Sequence, residues 1–173
     1  MSILQNLLNL DIAIFLLINK GLANTFFDFI LFYFDKLSYV IYALLILFSI
    51  IKNRNLAVLL MLALIFTGVF IHMLKQAIGR ERPYEVLNAR LLVAPETNKS
   101  FPSNHAAQAF LVATLVFSYY RRLGILLFPF AIVISLGRVY LGVHYPSDVI
   151  VGAVLGVIIA LVFKLTFYKI KFR

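Results

Sequence analysis

The chain has no cysteine and few acids, with seven Asp and Glu against 16 Lys and Arg in 173 residues. The first absence excludes disulfides and thiolate metal sites. Charge of either sign is scarce, at 13% of residues, while 63% are hydrophobic and mean hydropathy is +0.99, which excludes an ordinary soluble globular domain. The N-terminus lacks a basic region and a small-residue cleavage site, so the first apolar stretch is expected to stay attached rather than leave as a signal peptide. No repeat or low-complexity segment is present. A net charge of +9 would suggest nucleic acid in a soluble protein; in a chain this apolar it points to membrane anchoring or to a site for anionic headgroups.

What remains is a series of apolar runs long enough to cross a bilayer as helices. The expected fold is all-α, a polytopic membrane helical bundle forming a single domain over residues 1–173. The clearest runs are Ala57–Leu74, Ala106–Tyr119, Gly124–Leu136 and Val149–Phe167, joined by Leu37–Ile51. Ile3–Ile18 is interrupted by Gln5, Asn6, Asn9 and Asp11 but brings the expected number of spans to about six. Thr25–Phe34, aromatic-rich and carrying Asp28, reads as a short interfacial or re-entrant helix.

Orientation rests on the cations. Lys52, Arg54, Arg121, Arg122, Lys164, Lys169, Lys171 and Arg173 fall on one side, and Lys20, Lys36, Lys75, Arg80, Arg82, Arg90, Lys99 and Arg138 on the other. The raw count is a tie. Setting aside Lys75, Arg82 and Arg138 as chemistry-bearing leaves eight against five, which places the C-terminus in the cytoplasm by the positive-inside rule.

Three polar clusters then share the opposite face. In Lys75–Pro83 (KQAIGRERP), two cations seven residues apart can converge on one anion, and Pro83 biases Arg82 away from helical geometry. In Phe101–His105 (FPSNH), a proline and a serine open a helix whose free N–H groups suit an anion, with His105 in the first turn. In Gly137–Gly152 (GRVYLGVHYPSDVIVG), Asp148 falls in the first turn of the last helix and can reach back to His144. A carboxylate on one imidazole nitrogen fixes the tautomer and leaves the other nitrogen free as base or nucleophile. Taken singly, each has an ordinary structural explanation: snorkelling cations, a helix cap, an ion pair. Together they make an inventory suited to a phosphate group. On that face only Glu81, Glu85, Glu96 and Asp148 are acidic, and none are paired at the spacing a Mg²⁺ ion needs.

The pattern Lys75-x6-Arg82-Pro83, then Pro102-Ser103-x-His105, then Arg138-x5-His144-x3-Asp148 resembles the three-part signature of the type-2 phosphatidic acid phosphatase superfamily of membrane lipid phosphatases. The similarity runs from Lys75 to about Gly152, and the N-terminal third matches in hydropathy alone. The resemblance implies that Lys75, Arg82 and Arg138 hold the phosphoryl oxygens with help from Ser103 and Asn104. It also implies that His144 attacks phosphorus, Asp148 orients His144, and His105 protonates the leaving oxygen. The chain departs from the family pattern at Asn104, where glycine is usual, and at Gly137, where serine is common.

By that resemblance the expected activity is metal-independent hydrolysis of a lipid phosphate or pyrophosphate through a phosphohistidine, with no cofactor, no nucleic acid and no obligate protein partner. Lipid A 1-phosphate is the first candidate substrate, followed by undecaprenyl pyrophosphate, phosphatidylglycerophosphate and phosphatidic acid. Arg80, Arg90 and Lys99 are read as extra cations for a multiply charged headgroup. The expected location is a bacterial cytoplasmic membrane with the site facing the periplasm or outside. Two non-enzymatic readings stand beside it: a transporter, which would place charges near span centres, and a lipid-binding scaffold, which would tolerate loss of His105 or His144.

Overall fold

The computed structural model describes residues 3–171, with side chains through residue 167; Lys169, Lys171 and Arg173 of the charge tally lie outside those described side chains. The elements are α1 (Ile3–Leu16, continued by a π-helical turn to Gly21), α2 (Thr25–Lys52), α3 (Arg54–Ile78), α4 (Pro83–Val86), α5 (Asn104–Tyr119), α6 (Arg121–Tyr140) and α7 (Pro146–Lys171). No strand occurs among the described residues. Counting the π-helical turn with α1, five of these helices are long and apolar enough to cross a membrane. The sixth long helix, α5, has 16 residues and is enclosed by α3, α6 and α7. Its buried face, with Ala106, Ala107, Ala109 and Ala113 among larger aliphatics, lets those neighbours approach closely.

Asparagine and tyrosine make the tight turns at one end of the bundle. Asn53 closes α2 through its N–H to the Ser49 carbonyl and opens α3 by accepting from Leu56 N–H with its side chain. Tyr120 is the single residue between α5 and α6. Hydroxyls inside the bundle bond their own helix: Ser49 to the Leu45 carbonyl, Thr67 to Ala63, Thr114 to Phe110 and Ser135 to Ala131. That pairing satisfies polar groups where no water is at hand. The outward faces of α1, α2, α3 and α7 carry exposed residues such as Ile3, Leu47, Ile65 and Leu165, the surface of a protein solvated by lipid.

One expectation is corrected. Thr25–Phe34 is not a separate interfacial helix but the first part of the continuous 28-residue α2. Asn24 caps this helix by accepting from Phe26 and Phe27 N–H, and no glycine or proline follows to stop it. Asp28, which suggested an interface, is paired with Arg90 at 2.8 Å and accepts from the Tyr140 hydroxyl at 2.5 Å. Asp11 in α1 is likewise turned inward and paired. Intramembrane carboxylates are tolerated when each has a cation.

The crossing of α7 over the start of α5 positions the polar end. A Cβ at Gly152 would collide with the Ser103 carbonyl and one at Gly156 with the Ala107 carbonyl, so the two backbones are in direct contact. At that crossing Ser103 N–H donates to the Asp148 carbonyl at 3.0 Å, which fixes the first turns of α5 and α7 together.

Candidate active site

Helix α3 ends at Gly79, whose φ of 69° suits a residue without a side chain, so Arg82 does not share the helix that carries Lys75. Arg82 is extended, as the following proline requires, and begins the single turn of α4. Its guanidinium is fully buried and completely engaged. Nε donates to the Asn98 carbonyl at 2.8 Å, one terminal nitrogen to the Val143 carbonyl at 2.8 Å, and the other to Glu96 at 2.5 Å and to the Asn98 side chain. Lys75, also buried, donates to the carbonyls of Lys99 at 2.5 Å and Ser100 at 3.2 Å.

His144 sits in the short turn between α6 and α7, 1% exposed. Its Nδ1 lies 3.2 Å from Asp148 Oδ2, and its Nε2 faces Arg82 at 3.5 Å. Asp148 reaches back as anticipated, since the same oxygen accepts from Tyr145 N–H at 2.9 Å. A carboxylate at Nδ1 favours the tautomer whose Nε2 lone pair is free. Burial first, then the charges of Arg138, Lys75 and Arg82, hold His144 well below the ordinary histidine pKa. The ring is therefore neutral at pH 7, the form a nucleophile needs.

Arg138, in the last turn of α6, bridges two carboxylates: Asp35 of α2 at 2.7 Å and Glu96. Its Nε is buried with no partner. His105 stands across Asp35, with Nε2 at 3.6 Å from that carboxylate and 3.0 Å from the Tyr39 hydroxyl. A continuous line of contacts thus runs from His105 through Asp35, Arg138, Glu96 and Arg82 to His144 and Asp148. Ser103 caps α5, accepting from Ala106 N–H at 3.5 Å. Asn104 Oδ1 is buried without a partner, and the residue lines a cavity of about 140 Å³ shared with Gly68, Ile71, His72, Lys75 and Asn98. The three sequence clusters therefore meet at one end of the bundle. Chemically, three buried cations with a neutral histidine and a second, partly exposed histidine near them could seat a tetrahedral anion.

The sequence profile of the PAP2 superfamily matches residues 56–172. The chain belongs to the PAP2 superfamily. Aquifex aeolicus LpxE, a solved structure, has the same fold with a TM-score of 0.80 at 32% identity, covering 89% of this chain and 94% of that one. The chain is 31% identical over 141 residues to the bacitracin transport permease protein BcrC of Bacillus licheniformis, covering 81% of this chain and 68% of that protein. It is 34% identical over 118 residues to the lipid A 1-phosphatase of Rhizobium johnstonii, covering 64% of this chain and 47% of that protein. It thus spans about half the length of the rhizobial relative.

The PAP2 profile begins at residue 56, so α1 and α2 lie outside it, yet they supply Asp11, Asp35 and Tyr39 to the polar end. No motif spacing flags these residues, but each stands in an apolar run, where an acid or hydroxyl needs a partner. The two departures from the family pattern are accommodated simply. Asn104 opens α5 without a positive φ, and a Cβ at Gly137 would meet Leu31 at 3.5 Å, so a serine hydroxyl there would lie against α2.

Arg80 and Arg90 do not serve as free headgroup cations. Arg90 is held by Asp28, and Arg80 bonds Asp148 Oδ1 and Asp11 Oδ2, both at 2.7 Å, while its guanidinium stacks over Tyr145 at 3.8 Å. Asp11 also accepts from the Ser147 N–H and hydroxyl, closing a ring around the start of α7. Arg80 is therefore placed to steady Asp148. Arg80→Ala is expected to lower kcat on the order of tenfold or more while KM changes little, the pattern for an outer partner of a working side chain. A headgroup cation would show its loss chiefly in KM.

Proposed function

We propose that this PAP2 protein is a membrane lipid phosphatase that removes a terminal phosphate from an anionic lipid through a phosphohistidine on His144. The observation that carries this reading is the orientation of His144: Nδ1 on Asp148 and Nε2 turned to Arg82, beside the anion seat. In the proposed reaction Nε2 attacks phosphorus while Arg82, Arg138 and Lys75 take up charge on the equatorial oxygens. The phosphorus–oxygen bond to the lipid breaks, and His105, protonated as the anionic substrate binds beside it, gives that proton to the departing oxygen. His105 then takes a proton from water, whose oxygen attacks phosphorus; the phosphorus–nitrogen bond breaks and inorganic phosphate leaves. Ser103 helps indirectly by holding the first turn of α5, where Asn104 faces the seat's neighbouring cavity.

Lipid A 1-phosphate is the favoured substrate, supported by similarity to the rhizobial enzyme of that name. Undecaprenyl pyrophosphate is the second candidate, favoured by the cavity beside Lys75, which has room for another phosphoryl group. Phosphatidylglycerophosphate and phosphatidic acid complete the panel. Phosphate release from these four purified lipids in detergent tests the reading, with lipid A losing its 1-phosphate fastest; no release from any of them would overturn it. A transport role is disfavoured because the buried charges gather at one end of the bundle rather than along a path through it.

The carboxylates at the seat are committed to cations, Asp35 and Glu96 to Arg138 and Asp148 to Arg80. The reaction is accordingly proposed to need no divalent ion. Activity is expected to persist in excess EDTA and to be inhibited by vanadate, which adopts the five-coordinate geometry of phosphoryl transfer. Restoration by Mg²⁺ of activity lost to EDTA would contradict this.

The site is proposed to face the periplasm or outside of a bacterial cytoplasmic membrane. Support comes from Lys52, Arg54, Arg121 and Arg122, which cluster at the turns of the opposite end. Compartment reporters fused after Arg173 and inserted between Glu85 and Thr97 are expected to give opposite signals. A cytoplasmic signal from the insertion would reverse the topology.

A further inference from the structure

The anion seat already contains an anion. Glu96 bridges Arg82 and Arg138 with its two oxygens, Oε2 to the first and Oε1 to the second. Two guanidiniums joined through one planar acid is the arrangement that two guanidiniums joined through phosphoryl oxygens would replace. The segment that follows supplies the remaining acceptors: Asn98 to Arg82, and the Lys99 and Ser100 carbonyls to Lys75. Among these acceptors only Glu96 is charged. Burial opposes that charge, but Arg138 and Arg82 outweigh it and hold the carboxyl below the ordinary glutamate range.

The backbone at Glu96 is held independently of the carboxylate's two ion pairs. The Tyr84 hydroxyl donates to the Glu96 carbonyl at 2.9 Å and accepts from its N–H at 3.1 Å, whereas the Glu96 side chain is 29% exposed. Release of the carboxylate therefore needs rotation of one side chain rather than movement of the loop.

We propose that Glu96 is a specificity-determining residue, an internal anion that an incoming phosphoryl group must displace, so that the seat admits terminal phosphates and rejects phosphodiester headgroups. This rests on the reading of Arg82 and Arg138 as the phosphate clamp. A phosphodiester carries one charge and two free oxygens, so exchanging it for Glu96 replaces one monoanion by another and leaves the displaced carboxylate unpaired beside it. A terminal phosphate carries roughly 1.5 to 2 charges and three free oxygens. It can engage both arginines and still reach Lys75 and the unpartnered Nε of Arg138. Being covalently tethered, Glu96 competes at a high effective concentration. In a bilayer made largely of phosphodiester lipids, that competition keeps the site open for a scarce substrate.

The test is Glu96→Gln, neutral and of the same size, in the full-length protein purified in detergent. Inhibition of lipid phosphate turnover is measured with phosphatidylglycerol, a phosphodiester, in mixed micelles and with inorganic phosphate in solution. The wild type is expected to be nearly insensitive to phosphatidylglycerol, and the variant to bind both inhibitors on the order of tenfold more tightly. Unchanged or weakened inhibition of an active variant would overturn the proposal while leaving the function intact. A wild type that releases no phosphate from any lipid would overturn both. Removing the carboxylate also leaves two buried guanidiniums facing each other, so thermal unfolding is measured as well. Inorganic phosphate should raise the melting temperature of Glu96→Gln more than that of the wild type, and an equal or smaller rise would contradict the proposal. Glu96→Asp, which keeps the charge but withdraws it from the arginines, should shift inhibition in the same direction by less; inhibition identical to wild type would count against the proposal.

Discussion

His144→Ala is expected to reduce turnover of every lipid phosphate by on the order of 10⁴-fold or more. The substitution removes the atom that accepts the phosphoryl group, and nothing nearby can replace it. Asp148 is bound to Arg80 and to the Tyr145 N–H, and Glu96 is held between two arginines. Substrate binding should survive, because Arg82, Arg138 and Lys75 are held by the bundle and the 96–100 segment rather than by the imidazole. The loss should therefore appear in kcat, with vanadate still protecting the fold against heat. Asp148→Asn should fall between the variant and the wild type: the amide keeps the shape of the contact at Nδ1 but weakens control of the tautomer. A His144→Ala protein that kept more than a small fraction of activity would move the nucleophile elsewhere.

His105→Ala is expected to fail differently. Its partly exposed ring lies against Tyr39 and Asp35, and in the proposed reaction it protonates the leaving oxygen. Loss of a general acid typically costs about 10²- to 10⁴-fold, and the cost grows with the need of the leaving group for a proton. Phosphatidic acid and phosphatidylglycerophosphate release an alkoxide and should suffer the full penalty. Undecaprenyl pyrophosphate releases a phosphate and should suffer much less. Rates for both classes, measured on His105→Ala and His144→Ala side by side, separate the two roles. Equal defects on both classes in both variants would require the assignments to be exchanged or abandoned.

The residues that sequence reasoning gathered, Lys75, Arg82, Ser103, Asn104, His105, Arg138, His144 and Asp148, do converge, because short-range order dictates where each lies. Pro83 unwinds the chain at Arg82, Ser103 starts α5, and Pro146 starts α7 two residues after His144. Their supporting shell was not legible in the same way. Asp11, Asp35 and Glu96 pair with arginines that lie 69, 103, and 14 or 42 residues away, so no local spacing reveals them. Asp28 illustrates the cost of reading locally. It made Thr25–Phe34 look interfacial, whereas its pairing with Arg90, 62 residues on, lets α2 run unbroken. The same distant pairing removes Arg80 and Arg90 from the substrate and gives Arg80 to Asp148. A usable signal was present in composition: with only seven acids in a membrane chain, each one within an apolar run demands a buried cation, and arginines are the ready partners.

If His144 carries the phosphoryl group, the covalent intermediate can be trapped on it. Protein quenched during turnover of a lipid labelled in its terminal phosphate should carry the label on one histidine, with the acid-labile, base-stable behaviour of a phosphorus–nitrogen bond, and peptide mapping should place it on His144. His144→Ala should carry none. Label on the His144→Ala protein, or label that resists acid, would rule out His144 as the phosphoryl carrier.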